Sequence, residues 1–222
     1  MGRLLVVVAV EAERAAIADA LSAEGRPDVP AVTLLVGGVG PAAAAAATSA
    51  ALAGGGVDIV LAAGIGGGFR PLAPGDIAVA SSVVFADLGA ETADGFVPVS
   101  ELGFGGPRSD TERYEVDSNF AAELARSTGG RLGTILTVAT VTGTAVTSAR
   151  LLARHPDAVA EAMEGAGVAA AAVRHGVRFG ELRAISNAVG TRDRAAWRIP
   201  DALAALGRAV SAAAGSVAGW TR

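Results

Sequence analysis

The sequence predicts an α/β fold, a three-layer αβα sandwich around a central mixed sheet, and three observations lead there. Short uninterrupted apolar runs bounded by Gly or Pro recur along the chain, the pattern of strands buried on both faces. Alanine-rich stretches of helical length lie between several of them, and such alternation builds layered α/β domains. Hydrophobic residues make up 51% of the chain but aromatics only 4%, so the core is ample and must be packed with Ala, Val, Leu and Ile.

In chain order, the run Leu4–Val10 is the first strand and Glu11–Ala23 the first helix. Val32–Val36 is the second strand, followed by a helix over Pro41–Ala53 that opens on a proline, a residue tolerated at the first helical position. Val57–Ala63 and Ile77–Val84 read as further strands, then Ser118–Ser127 as helix, Leu132–Val138 as strand and Ser148–Ala153 as helix. The helix Gly165–His175, the strand Val177–Ile185 and the helix Pro200–Val217 complete the pattern. The stretch Asp87–Glu115, rich in Gly, Pro and charge, is too long for an idle connector and is either a flap over a site or a solvated excursion. At 222 residues the chain is expected to form one domain over 1–222, since single cores serve up to roughly 250 residues.

Composition excludes several function classes. The formal charge is −4, with 18 basic against 22 acidic residues and no basic cluster, which gives no footprint for nucleic acid or an anionic membrane. Without cysteine there is no disulfide, thiolate nucleophile or zinc-thiolate site. The two histidines, His155 and His175, lie twenty residues apart and read as helix-surface residues, so a metal site is not expected. The apolar run at the N-terminus is too short to span a membrane and no cleavage site follows it; a cytoplasmic protein without cofactor is the expectation.

Two glycine-rich stretches follow strands. "GGVGPAA" (Gly37–Ala43) imitates a dinucleotide fingerprint, with Asp58 twenty residues after Gly38. The context is wrong, because the fingerprint belongs after the first strand and its acid at the end of the next. A tight turn with close backbone approach is the better reading. "AAGIGGGF" (Ala62–Phe69) reads as a turn whose backbone N–H groups line a pocket floor at the sheet's C-terminal edge. Neither stretch carries Lys followed by Ser or Thr, which excludes a Walker-type loop. Glu13, like Glu11, is placed favourably against a helix N-terminus. Glu164, beside Met163 and before an almost charge-free helix, is either a helix-start charge or a ligand-binding carboxylate.

Taken in order, "AVEAERAAI", "VGGVGPAAAAAATSAAL", "DIVLAAGIGGGF", "PGDIAVAS", "AMEGAGVAAAA" and "RAISNAVGTRDRAAW" resemble the nucleoside phosphorylase and nucleosidase family along nearly the whole chain. The resemblance implies a nucleoside phosphorylase/hydrolase-like fold, a small-molecule nucleoside substrate, and a homodimer or higher homo-oligomer in which a neighbouring subunit closes part of the site. Carried over by position, it implies Glu13 as general base for the attacking water, Glu164 on the ribose hydroxyls and Met163 against the sugar. Gly64, Ile65 and Gly66 would lie alongside base and ribose, and Asn187 would meet the purine N7. Related nucleosidases often carry a small polar residue where Ile65 stands. Trp197 packs over the base or 5′ substituent, or else against the following helix.

Adenine-specific members resembled here carry Asp where this chain has Asn187. A 6-oxopurine presents two acceptors, N7 and O6; a carboxylate would repel O6, whereas an amide NH₂ has donors to offer. Asn187 therefore points to hypoxanthine as the released base, with strand-end capping as its bland alternative. Hydrolysis is favoured over phosphorolysis because the first-strand turn has Arg14 as its only arginine. The nearest likeness within the family implies an anionic 5′ substituent, for which Arg192, Arg194, Arg198 and Arg108 are candidates. The alternatives are a methylthioadenosine/S-adenosylhomocysteine nucleosidase, a purine nucleoside phosphorylase, and a nucleoside-binding sensor without catalysis.

Overall fold

The computed structural model describes residues 3–24, 31–103 and 112–217. Strands β1 (Arg3–Val8), β2 (Ala31–Val36), β3 (Ile59–Gly68), β4 (Ile77–Phe85), β7 (Arg113–Glu115), β8 (Arg131–Thr137), β9 (Ala158–Ala162) and β10 (Arg178–Ala188) form one mixed sheet, and β5 (Gly89–Thr92) with β6 (Gly95–Pro98) forms a separate hairpin. The helices are α1 (Glu11–Glu24), α2 (Pro41–Leu52), α3 (Ser118–Thr128), α4 (Ala145–Arg154), α5 (Gly165–His175) and α6 (Ile199–Val217). The predicted three-layer α/β arrangement is observed. Helix α6 packs on α1 and α3, and α2 packs on α5, with the sheet between these groups.

Strand β3 organises the sheet. Its first half pairs in parallel with β1, almost its whole length pairs in parallel with β10, and Gly67 and Gly68 at its end pair antiparallel with Glu161 and Ala160 of β9. Since β10 pairs with β4, β4 with β8 and β8 with β9, the strand path returns to β3 and leaves that part of the sheet without a free edge. All the strand ends that matter for the site converge where β3, β9 and β10 meet.

The scarcity of aromatics has the predicted consequence. The core of the described residues is mostly Leu, Ile, Val and Ala, with Phe69, Phe120 and Phe179 as its buried aromatics. Small side chains let helices approach closely: a Cβ at Gly207 of α6 would lie 2.6 Å from the Ala16 carbonyl oxygen of α1, and one at Gly167 of α5 only 2.0 Å from that of Pro41 at the start of α2.

Three expectations are corrected. "AAGIGGGF" is not a turn: residues 64–68 continue β3 by pairing with β10 and β9, and its glycines leave room for the Glu13, Arg183, Val189 and Ile185 side chains and the Glu161 carbonyl. Strand β9 escapes the apolar-run criterion because Glu161 interrupts it, although all five of its residues are buried. In Asp87–Glu115, the β5–β6 hairpin packs its Phe96 ring under the Arg154 guanidinium, 4.3 Å away, and β7 pairs with β4; none of its described residues lines the site cavity. Residues 104–111, Arg108 among them, lie outside the described residues.

Gly207→Val is expected to lower unfolding free energy by about 1–3 kcal/mol, the usual cost of overpacking a tight contact, measured by urea denaturation.

Candidate active site

A cavity of ≈ 260 Å³ opens where β1, β3, β9 and β10 end. Glu13, Ile65, Gly66, Glu161, Met163, Glu164, Ser186, Asn187, Arg192 and Trp197 are among the residues that line it. Seven of the eight sequence-predicted site residues are thus brought together from four separate chain segments. The eighth, Gly64, lies one layer beneath: a Cβ there would stand 2.7 Å from both Glu13 Oε1 and Arg183 Nη1, so its role is to leave room for those two side chains.

Glu13 is buried, at 3% exposure, in the first turn of α1. Its Oε2 accepts the backbone N–H groups of Ala9 (2.9 Å) and Val10 (3.2 Å), which would otherwise be orphaned at the helix start. Its Oε1 accepts the Ile65 N–H at 2.9 Å. A carboxylate offers about four lone-pair sites; three are engaged, and the remaining one is on Oε1. The side chain is therefore fixed against two strands with one acceptor position spare. The helix-start reading of Glu13 holds, and the same side chain lines the cavity. Glu11, by contrast, turns outward to pair with Arg14 at the surface.

Glu164 lies in the cavity wall. It occupies the N-cap position of α5 but makes no capping hydrogen bond there. Its Oε1 instead accepts the Gly40 N–H at 3.2 Å, and its Oε2 accepts Arg183 Nη1 at 3.1 Å. Gly40, with φ 90°, is the turn residue of "GGVGPAA", which here binds a side chain and not a dinucleotide. Met163 is half-buried beside it in the cavity wall.

Sequence reading missed the group that holds this floor together. Arg183 of β10 is 1% exposed, and its Nε donates to Glu181 Oε1 at 2.8 Å. Burial works against the guanidinium charge, but Glu181, Glu164 and Glu13 outweigh it and hold its pKa above the ordinary arginine value. Burial raises the Glu181 carboxyl, with Arg183 opposing the shift. The available signal was the spacing Glu181, Arg183 inside an apolar strand, which places both charges on one face.

Asn187 owes its position to an irregularity. The pairing of β10 with β3 slips between Ile185 and Asn187, a bulge that breaks strict alternation. As a result Ser186 and Asn187 both reach the cavity. Asn187 Oδ1 accepts the Ser186 hydroxyl at 2.7 Å, and Nδ2 donates to the Ala188 carbonyl at 3.0 Å. Because a carbonyl only accepts, this contact orients the amide with nitrogen toward Ala188, leaving one N–H uncommitted. Trp197 lines the cavity, with the guanidinium groups of Arg192 and Arg194 5.4 and 5.9 Å from its ring centre, and is not part of the buried core. Arg198 is taken up by Asp201. Of the candidate arginines among the described residues, Arg192 is the one in the cavity wall.

The sequence model of the phosphorylase superfamily matches residues 23–218. The chain is 52% identical to a futalosine hydrolase of Streptomyces coelicolor, an alignment covering 98% of this chain and 97% of that one. It is 47% identical to another from Acidothermus cellulolyticus, over 94% and 88%. Among solved structures, a methylthioadenosine/S-adenosylhomocysteine nucleosidase from Colwellia psychrerythraea in complex with adenine superposes with a TM-score of 0.79 at 22% identity, covering 97% of this chain and 95% of that one. The futalosine hydrolase of Helicobacter pylori superposes with a TM-score of 0.78 at 17% identity, covering 96% and 97%. The chain therefore belongs to the phosphorylase superfamily, among its futalosine hydrolase-like nucleosidases.

Proposed function

We propose that this nucleosidase cleaves the N-glycosidic bond of futalosine and releases hypoxanthine, as a cytoplasmic, homo-oligomeric enzyme of menaquinone biosynthesis. The observation that carries the reading is the Glu13 carboxylate, pinned by three backbone N–H groups with one acceptor position spare and Glu164 in the same cavity wall. The near-full-length identity to curated futalosine hydrolases supports the choice of substrate.

In the mechanism, Glu13 accepts a proton from a water as that water attacks the anomeric carbon, which is general base catalysis. The C–N bond breaks, its electron pair goes to the purine, and the purine takes a proton from solvent. As positive charge builds on the ribose, the carboxylates of Glu13 and Glu164 stabilise it, and Glu164 keeps lone pairs for the ribose hydroxyls. Asn187 donates its uncommitted N–H to the departing base. Arg192 faces the anionic 5′ end, with Trp197 packed beside it. Among the described residues no unpaired cation stands beside Glu13 to seat a phosphate: Arg183 is bound by Glu181 and Glu164, Arg14 pairs with Glu11 at the surface, and Arg192 lies by Trp197. That charge balance favours hydrolysis.

With futalosine, inosine and methylthioadenosine offered with and without phosphate, hypoxanthine is expected from futalosine at a rate indifferent to phosphate. Adenine as the preferred product, or a strict phosphate requirement, would reject the assignment. Glu13→Gln is expected to lower kcat by about 10²–10⁴-fold, the usual yield of general base catalysis, with KM little changed; single-turnover base release measures it. Asn187→Asp should shift the ratio of 6-oxopurine to 6-aminopurine cleavage toward the amine by about tenfold or more, the effect of exchanging a matched buried hydrogen bond for two facing acceptors, measured by competition between the two nucleosides.

A further inference from the structure

The cavity contains a buried carboxylate that the mechanism above does not use. Glu161 is 6% exposed and sits on β9 opposite Gly67. Its Oε1 accepts the Thr142 N–H at 2.8 Å, and its Oε2 accepts the Thr142 hydroxyl at 2.5 Å. Two of four acceptor positions are thereby filled and two remain. Among the described residues no cation pairs with it. Burial pushes its carboxyl up, the Thr142 contacts oppose the shift, and Asp87 adds to it.

A carboxylate in this setting calls for a further donor. Fastening a loop through one threonine would be done as well by a neutral acceptor without the cost of burying a charge. The cavity supplies the place for that donor, because Thr142, Glu161 and Asn187 line it together. Asn187 meanwhile has one N–H to give, its other being held by Ala188. One donor cannot read a whole purine edge. Hypoxanthine presents acceptors at N7 and O6 and a donor at N1; adenine presents an amine and a bare lone pair at N1.

We propose that Glu161 is the second specificity-determining residue of the base site, accepting the N1–H of a 6-oxopurine whose N7 side is held by Asn187. Thr142 is its positioning residue, fixing both carboxylate oxygens. Adenine in the same pose would set its N1 lone pair against the carboxylate, so selection against 6-aminopurines comes from repulsion as well as from a missing bond. The inference rests on the purine nucleosidase reading but not on the identity of the 5′ substituent.

The test uses free bases and the intact protein, so it does not depend on turnover. Calorimetry on the wild type with hypoxanthine, 1-methylhypoxanthine and adenine should give hypoxanthine an advantage of about tenfold to a hundredfold over each, the usual worth of a hydrogen bond to a charged group. In Glu161→Gln, and in Glu161→Val where it folds, the advantage over adenine should collapse through weaker hypoxanthine binding, with adenine binding unchanged or tighter. Equal losses for both bases, or a wild type indifferent to 1-methylation, would overturn the proposal. Retained base selectivity in a wild type that leaves futalosine intact would reject the substrate and leave Glu161 in its role.

Discussion

The site depends on one buried cation. Arg183 is an arginine with 1% of its side chain exposed, and it is tolerated because Glu181 and Glu164 bind it directly while the Glu13 carboxylate adds its field. The dependence runs both ways. Three carboxylates from β10, α1 and the start of α5 could not be gathered under one cavity floor without a positive charge among them, and leaving such a charge uncompensated costs about 3–5 kcal/mol. The cluster is an expensive arrangement for stability alone, since well-packed apolar side chains often serve as well. Its presence fits a site that needs negative charge held next to a developing cation.

The backbone around this cluster is shaped to let it form. Gly64 gives way to Glu13 and Arg183; Gly66, Gly67 and Gly68 give way to the Glu161 carbonyl, Val189 and Ile185. The strand keeps its ladder because these residues have no side chain to collide, so the glycines serve packing and not flexibility. The bulge at the end of β10 does the complementary work on the opposite wall, turning two consecutive residues into the cavity where a regular strand would turn one. Floor and wall therefore come from two adjacent strands that pair along ten positions, a rigid base for a reaction that needs its groups pre-positioned.

Electrostatics distinguishes the two ends of the cavity. One side holds Glu13 and Glu164 tied to backbone N–H groups and Arg183, and the other holds the neutral Asn187 amide and Glu161, which has no cation partner among the described residues. Arg192 stands in the cavity wall over the Trp197 ring. A nucleoside with an electron-deficient sugar in transit, a 6-oxopurine and an anionic tail complements that distribution.

Much of this was legible in the chain itself. Apolar runs separated by alanine-rich helical stretches determined the layered α/β class, because burial on two faces leaves that periodicity whatever the detailed topology. The family resemblance singled out Glu13, Met163, Glu164, Asn187 and Trp197, and the fold lines one cavity with all five. Tertiary structure decided what periodicity cannot encode. The glycine run became strand because its pairing partners, β9 and β10, arrive from segments about ninety or more residues away. Arg183, Glu181 and Glu161 read as interruptions of apolar strands until folding brings their partners to them. A charge inside a strand has no meaning in sequence until its counter-charge or ligand is in contact, and that contact is a property of three dimensions.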